Sequence, residues 1–348
     1  MAGRAVTLAD VAAAAGVSTA TVSLVVRGHD GVRPTTRLKV QEIVDRLGYI
    51  PNGSARGLSR DRKEIIGLIA SAGGDEQATL GYRSPVYRDE ILYGVEDALR
   101  KERWSLLISF MSSADINAIR SMLSKIDGLL AVIGTVRQDI LDSLGERIPL
   151  VVMAGRPATG SFDVVAADNA GGLRQLLAHL LEVHGYRSFF YVGGPDYAPD
   201  ANERLHVFDA VMAESGSEVL GRYHGPFLPK TGIAATDRII KGGLPDAVVC
   251  ASDQLAVGVL SALKAGGISV PRDVAVVGFD DLPLAEYSSP TLTTVRQPIR
   301  EMGAIGARML LRRIDNADLP TVTMSLPTTV IIRASCGCEN KATESPVK

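Results

Sequence analysis

From Ile65 onward the chain alternates short apolar, β-rich runs with helical stretches, and no other feature constrains the fold as strongly. The runs read IIGLIAS, SLLISF, GLLAVIG, PLVVMAG, SFFYVGG, AVVCAS and VAVVGFDD, with helical patterns over residues 86–103, 114–125 and 137–146 between the first four. A strand apolar at consecutive positions is buried on both faces, and a repeated β-α order achieves this by covering parallel sheets with helices. Roughly 270 residues of this kind exceed one doubly wound domain. Two lobes are therefore expected, with a cleft where the carboxyl ends of their strands converge.

The first 63 residues obey a different rule. They carry ten Lys/Arg and five Asp/Glu, a net +5, whereas the remainder carries a net −7. A small basic head on a mildly acidic body suits contact of the head alone with a polyanion. Thr7 and Asp10 read as a capping box that opens a helix from Leu8 to about Ala15. Gly16-Val17-Ser18 then makes a tight turn: Gly permits left-handed backbone, Val17 plugs the angle, and Ser18 caps a second helix running to Val26. A third helix follows Pro34, with Val40, Ile43, Val44 and Leu47 on one face. With Val22, Val25 and Val26 turned to the shared core, Thr19, Ala20, Thr21, Ser23 and Leu24 are left outward beside Arg27, Arg33 and Arg37. Small side chains flanked by arginines suit a DNA major groove and its phosphates. An ordinary three-helix packing module is the alternative on pattern alone.

The runs VTLADVAAAAGVSTATVSLVV, RLGYIPN, VVGFDDLPLAEYSSPTLTTVRQPIREMG and LPTTVIIRAS, in that order, resemble the lactose-repressor (LacI/GalR) family over nearly the whole chain. The resemblance implies an N-terminal all-α helix-turn-helix head (1–50), a hinge segment (51–63), a two-lobed α/β body with parallel sheets of the periplasmic-binding-protein-like type I class (64–336), and a flexible tail (337–348). It implies a repressor that binds double-stranded, near-palindromic operator DNA as a homodimer under the control of a small molecule, a sugar being the first expectation. It also implies that Thr19, Ala20 and Leu24 take the base-reading positions and that Thr7, Ser18, Thr21, Ser23 and Arg27 position the backbone. Leu24 departs from the arginine many members carry, so the operator cannot be copied from relatives. In the hinge, two glycines each cost about 1 kcal/mol relative to Ala in a helix. There Ala55 and Leu58 match the minor-groove segment, Leu58 as the wedge between base pairs.

The resemblance further implies three chain crossings between lobes, placed near Asp163, Thr291 and Pro327. The candidate effector residues are Tyr87, Arg204, Phe227, Ser252 and Asp280. Tyr87 offers a ring to stack on a sugar or base, with simple packing as the alternative. Arg204 offers a rigid fork of donors for vicinal hydroxyls or a carboxylate, a solvated helix arginine being the alternative. Asp280 ends a strand as a hydroxyl acceptor, while Asp281 is expected to cap the next turn. Phe227 stands where relatives pack an aromatic on the ligand, or plugs an apolar surface. Ser252 replaces a common Asn. Asp168-Asn169 reads as a cleft-edge pair or as helix capping. The long stretch 71–83 is expected to reshape the cleft mouth.

Other classes fit poorly. An exported sugar-binding protein would share the body and carry a signal peptide in place of the basic head. An enzyme is disfavoured because the chain holds no Walker, G-x-G-x-x-G or G-x-S-x-G loop and its five histidines show no recognisable spacing. His184-Gly185 reads as a helix end with its glycine cap. Cys250 reads as a buried hydrophobe, and Cys336-x-Cys338 shows no nearby partner for a tetrahedral metal. No metal or cofactor is expected. No apolar stretch reaches the length of a membrane span, so a cytoplasmic location is expected. The tail lacks a heptad, which leaves the dimer as the default assembly.

Overall fold

Hydrogen-bond chemistry at the helix ends sets the limits of the first three elements, α1 (Leu8–Ala15), α2 (Thr19–Val26) and α3 (Pro34–Leu47). Thr7 closes the capping box with Asp10, and Gly16 ends α1 at φ +66°. The Ser18 hydroxyl accepts from the Thr21 amide at 3.1 Å, and Pro34 opens α3. Val11, Ala12, Ala15, Val22, Val25, Val40, Ile43 and Val44 form one small core, with Val17 packed against it at the turn. The computed structural model describes residues 6–26, 31–47, 62–71, 85–111, 116–132, 137–155, 160 and 162–338. Contacts separate it into two units, residues 1–63 and 64–348.

The second unit holds two parallel sheets. In the first lobe, β1 (Ile65–Ser71), β2 (Ser105–Met111), β3 (Gly128–Val132), β4 (Leu150–Met153), β5 (Asp163–Ala167) and the late β11 (Thr323–Leu326) assemble in the order β11-β5-β4-β3-β1-β2. Against them lie α4 (Pro85–Lys101), α5 (Ile116–Leu123), α6 (Gln138–Gly145) and α12 (Ile299–Asp315). In the second lobe, β6 (Ser188–Gly193), β7 (Glu218–His224), β8 (Ala247–Cys250) and β9 (Ala275–Val277) pair in the order β7-β6-β8-β9. Its helices are α7 (Asn169–Ala178), α8 (Pro199–Ser215), α9 (Pro229–Gly242) and α10 (Asp253–Ala265), followed by the short α11 (Pro283–Tyr287). A small antiparallel pair joins β10 (Thr294–Arg296) to β12 (Thr329–Ile331). Strands β3, β4, β5 and β8 are buried at every position, as a sheet covered on both faces requires.

Glycine pairs bring helices together in both lobes. A Cβ at Gly94 of α4 would fall 1.9 Å from the Arg300 carbonyl oxygen, and one at Gly303 of α12 would fall 2.2 Å from that of Ile91. In the second lobe, Gly232 of α9 faces the Leu255 carbonyl at 2.1 Å and Gly258 of α10 faces that of Pro229 at 2.0 Å on the same construction. Both contacts are backbone to backbone, so no side chain can yield to admit a methyl.

Several expectations are corrected. Asp163 is no crossing: it starts β5 inside the first lobe, where Arg313 grips its carboxylate at 2.6 and 2.8 Å. The chain leaves that lobe only where the strand ends, at Asp168. The second crossing falls at Gln297-Pro298, after β10, because Leu292 and Val295 still pack in the second lobe while Ile299 packs in the first. The third lies between β11 and β12, at Pro327-Thr328, close to its expected place. Strand β7 went unread because it is an edge strand, half exposed and interrupted by polar residues. At the C-terminus the packed body continues past 336, since Cys338 packs against the second core. Among the described residues, no single helix is long and apolar enough to cross a membrane.

Candidate functional site

On the head, Thr19, Ala20 and Leu24 are exposed on α2, Thr21 and Ser23 are partly so, and Val22 and Val25 are buried. Thr7 and Ser18 stand at the starts of α1 and α2, where unpaired amides and the helix dipole favour an anion such as phosphate. The Thr7 hydroxyl donates to Asp10 at 2.6 Å, and the Ser18 and Thr21 hydroxyls lie 2.9 Å apart. Arg27, Ala55, Leu58 and the stretch 72–83 lie outside the described residues.

In the body, the strand ends of the second lobe converge on Arg204, which is 2% exposed. It projects from α8, which Pro199 opens and Gly216 closes at φ +64°. Nε of Arg204 donates to Asn169 Oδ1 at 2.9 Å and Nη1 to the Ala251 carbonyl at 2.6 Å. Asp200 and Asp280 approach it at 3.5 and 3.6 Å, and its guanidinium lies 3.8 Å above the Phe279 ring. Its Nη2 has no hydrogen-bond partner among the described residues, although a buried donor of this kind left unpaired is costly. The solvated-arginine alternative is therefore excluded.

Asp280 sits at φ +121° and Asp281 at φ +56°, conformations a non-glycine residue adopts only where its surroundings impose them. Gln297 Nε2 donates to Asp280, and the Tyr87 hydroxyl donates to Gln297 Oε1 at 3.5 Å. Tyr87 belongs to the first lobe and is buried, so the line Tyr87, Gln297, Asp280, Arg204 links the two lobes. Asp281 does not cap the following turn as expected. It pairs with Arg296 at 2.6 Å and Arg333 at 2.8 Å, anchoring β10 and the segment after β12. Phe227 is buried against Gly194, whose hypothetical Cβ would strike its ring at 2.2 Å. Ser252 is buried and caps α10, its hydroxyl accepting from the Leu255 amide at 3.4 Å.

Sequence reasoning missed Asp200, Asp253, Phe279 and Gln297. Asp200 was within reach, four residues before Arg204 on one helix. For Asp168-Asn169 the two readings divide: Asp168 caps α7 through the Gly171 amide at 2.9 Å, and Asn169 holds Arg204 and donates to Glu203 at 2.8 Å. Asp253 is fully buried, accepting from Thr294 Oγ1 and the Leu282 amide. Burial first, then the nearby Asp280 charge, push its pKa well above the usual carboxylate range.

Residues 7–52 match the family model of bacterial regulatory proteins, lacI family, and residues 177–336 match a periplasmic binding protein-like domain. Catabolite control protein A of Staphylococcus xylosus is 32% identical, the alignment covering 92% of this chain and 96% of that protein. The lac repressor dimer bound to operator and the anti-inducer ONPF superposes with a TM-score of 0.83 at 25% identity, over 96% of this chain and 99% of that one. The transcriptional regulator CelR in complex with cellobiose superposes at 0.70 with 32% identity, over 95% and 99%.

Proposed function

From membership of the lacI family of bacterial regulatory proteins, to which this chain belongs, we propose that it is a transcription repressor that binds a near-palindromic operator as a homodimer and releases or holds it according to a neutral sugar bound between its lobes. Thr19, Ala20 and Leu24 read bases, while Thr7, Ser18, Thr21, Ser23 and Arg27 position phosphates. Ala55 and Leu58 act in the minor groove. The similar lac repressor dimer on operator DNA and the cellobiose complex of CelR support this division of labour.

The observation that carries the effector half is buried Arg204, whose Nη2 faces Asp200 at 3.5 Å without making a hydrogen bond. Asp200 and Asp280 already offset the guanidinium charge, so an anionic ligand would meet carboxylates as well as the cation. A neutral polyol satisfies the donor through one hydroxyl and offers its protons to Asp280, while Tyr87 and Phe227 supply apolar faces. No residue of the cluster is placed as an activated nucleophile beside a base, and we read the chain as a regulator without catalysis, working in the cytoplasm with its DNA.

An effector changes operator affinity only through differential affinity for two lobe arrangements, and coupling of about 1–3 kcal/mol moves that affinity by one or two decades. The test is footprinting on the chain's own promoter region with and without neutral mono- and disaccharides, paired with a thermal-shift screen. Protection of an inverted repeat that one sugar relieves or strengthens is expected. Absence of a protected repeat overturns the DNA assignment. Stabilisation by anionic metabolites and by no sugar overturns the effector assignment.

A further inference from the structure

The C-x-C pair near the C-terminus has partners after all, and they come from far upstream. Helix α7 does not end as an α-helix: it widens into a π turn over His179–Val183 before Gly185 at φ +70° releases the chain. In an α-helix, residues five apart point some 140° away from each other, whereas the wider π turn stacks them. Such turns are frequent at functional sites. Here the turn sets the His179 and His184 rings edge to face, 4.9 Å apart. The segment Ala334–Cys336 is fixed beneath them by Ser335, whose hydroxyl donates to the Val276 carbonyl at 2.6 Å and accepts from the Thr293 amide. Tyr186 donates to the Cys336 carbonyl at 3.0 Å and stacks on His184. Gly337, at φ +103°, turns the backbone between the two cysteines.

His179 Nε2 consequently lies 3.2 Å from His184 Nε2, 3.7 Å from Cys336 Sγ and 3.5 Å from Cys338 Sγ, while Cys338 Sγ lies 3.4 Å from His184 Nε2. All four ligand atoms fall within 4.8 Å of one another. A ring nitrogen has one in-plane lobe and makes one hydrogen bond along it, so hydrogen bonding cannot satisfy three neighbours of a single nitrogen. With Zn–N near 2.0–2.1 Å and Zn–S near 2.3 Å, a tetrahedral zinc site separates N from N by about 3.3 Å and N from S by about 3.6 Å, close to the spacings found. We propose that His179, His184, Cys336 and Cys338 form a closed, structural site for Zn²⁺ that staples the C-terminal segment to the second lobe. Binding converts two thiols to thiolates and releases two protons per metal, with both imidazoles entering neutral. The four ligands would fill all four tetrahedral positions, and they precede β6 or follow β12, with none of them a member of the Arg204 cluster.

The test uses the full chain, purified under reducing conditions, stripped with a chelator and titrated with Co²⁺ and then Zn²⁺. One Co²⁺ per protomer is expected, with the visible bands of a tetrahedral ion and thiolate charge transfer. Zn²⁺ should displace it, and two protons should be released. The variants Cys338→Ser and His184→Gln, checked for native circular dichroism, should lose the charge-transfer intensity and the one-to-one stoichiometry. A wild-type chain that takes up neither metal, that gives only a weak octahedral spectrum indifferent to these variants, or that closes a Cys336–Cys338 disulfide instead, overturns the proposal. Because the readout on wild-type protein needs no substitution, misfolding of a variant leaves the test intact.

Discussion

At the scale of single residues, Arg204 is the position on which stability and recognition meet. Arg204→Ala leaves Asp200, Asp280 and Asn169 facing a buried gap, and removing one partner of a buried ionic cluster costs about 3–5 kcal/mol. Urea denaturation should show that loss, whereas an exposed helix arginine would cost within about 0.5 kcal/mol. Tyr87→Phe is the cleaner probe of the cleft. Its hydroxyl bond to Gln297 is long, so stability should fall by no more than about 1 kcal/mol, while calorimetry should report weakened effector binding. The residue types of Arg204, Asp280, Tyr87 and Phe227, together with their places in known motifs, made them legible in the sequence. Phe279 and Gln297 were not, because each acquires its role from a partner far away in sequence, Arg204 for Phe279 and Tyr87 for Gln297. No local pattern marks such a meeting. The same holds for the two histidines that meet the C-x-C pair, 157 and 154 residues apart from it.

At the scale of elements, helix limits were legible where side chains cap the backbone locally, as at Thr7, Gly16 and Ser18. Helix packing was not. Gly94 and Gly258 lie inside helices, where propensity alone counts glycine as a weakness of about 1 kcal/mol, yet each permits two backbones to touch. Gly94→Ala and Gly258→Ala should therefore destabilise the chain by about 1–3 kcal/mol, the cost of overpacking, in place of the gain propensity implies. Chemical denaturation decides the sign. The start of β8 makes a pH-dependent contribution. Partial burial raises the Asp246 pKa, but hydrogen bonds from the Arg187 and Ser188 amides, at 2.7 and 2.9 Å, outweigh it and leave the pKa below its ordinary value. A lowered folded-state pKa contributes stability that is present above the unfolded pKa and lost as pH falls through the folded one. Asp246→Asn should accordingly be less stable than wild type at neutral pH, and the gap should close below about pH 4, as denaturation midpoints across pH would show.

At the scale of the whole molecule, the β-α alternation was enough to read two lobes of parallel sheet, and the charge step was enough to separate a basic head of +5 from its body. The crossings were displaced by a few residues because an apolar run names a strand without telling which sheet it joins. The head's charge makes a prediction of its own: operator affinity should fall linearly on a log–log plot against salt, with a slope of about −0.9 per phosphate contact. Binding assays between low and physiological ionic strength would expose a flat response, which the reading does not allow. The threading of the body has a further consequence during synthesis. The second lobe takes its four sheet strands from one uninterrupted stretch, Ser188 to Val277, whereas the first awaits α12 and β11, which leave the ribosome after it. A nascent chain released before residue 299 would hold a finished sheet in the lobe made second. The lobe made first would still lack the helix that lies against β3, β4 and β5, with its β5 edge open. Translation runs from amino to carboxyl end, but completion of the two parallel sheets runs in reverse, and the segment after β12 closes the second core last of all.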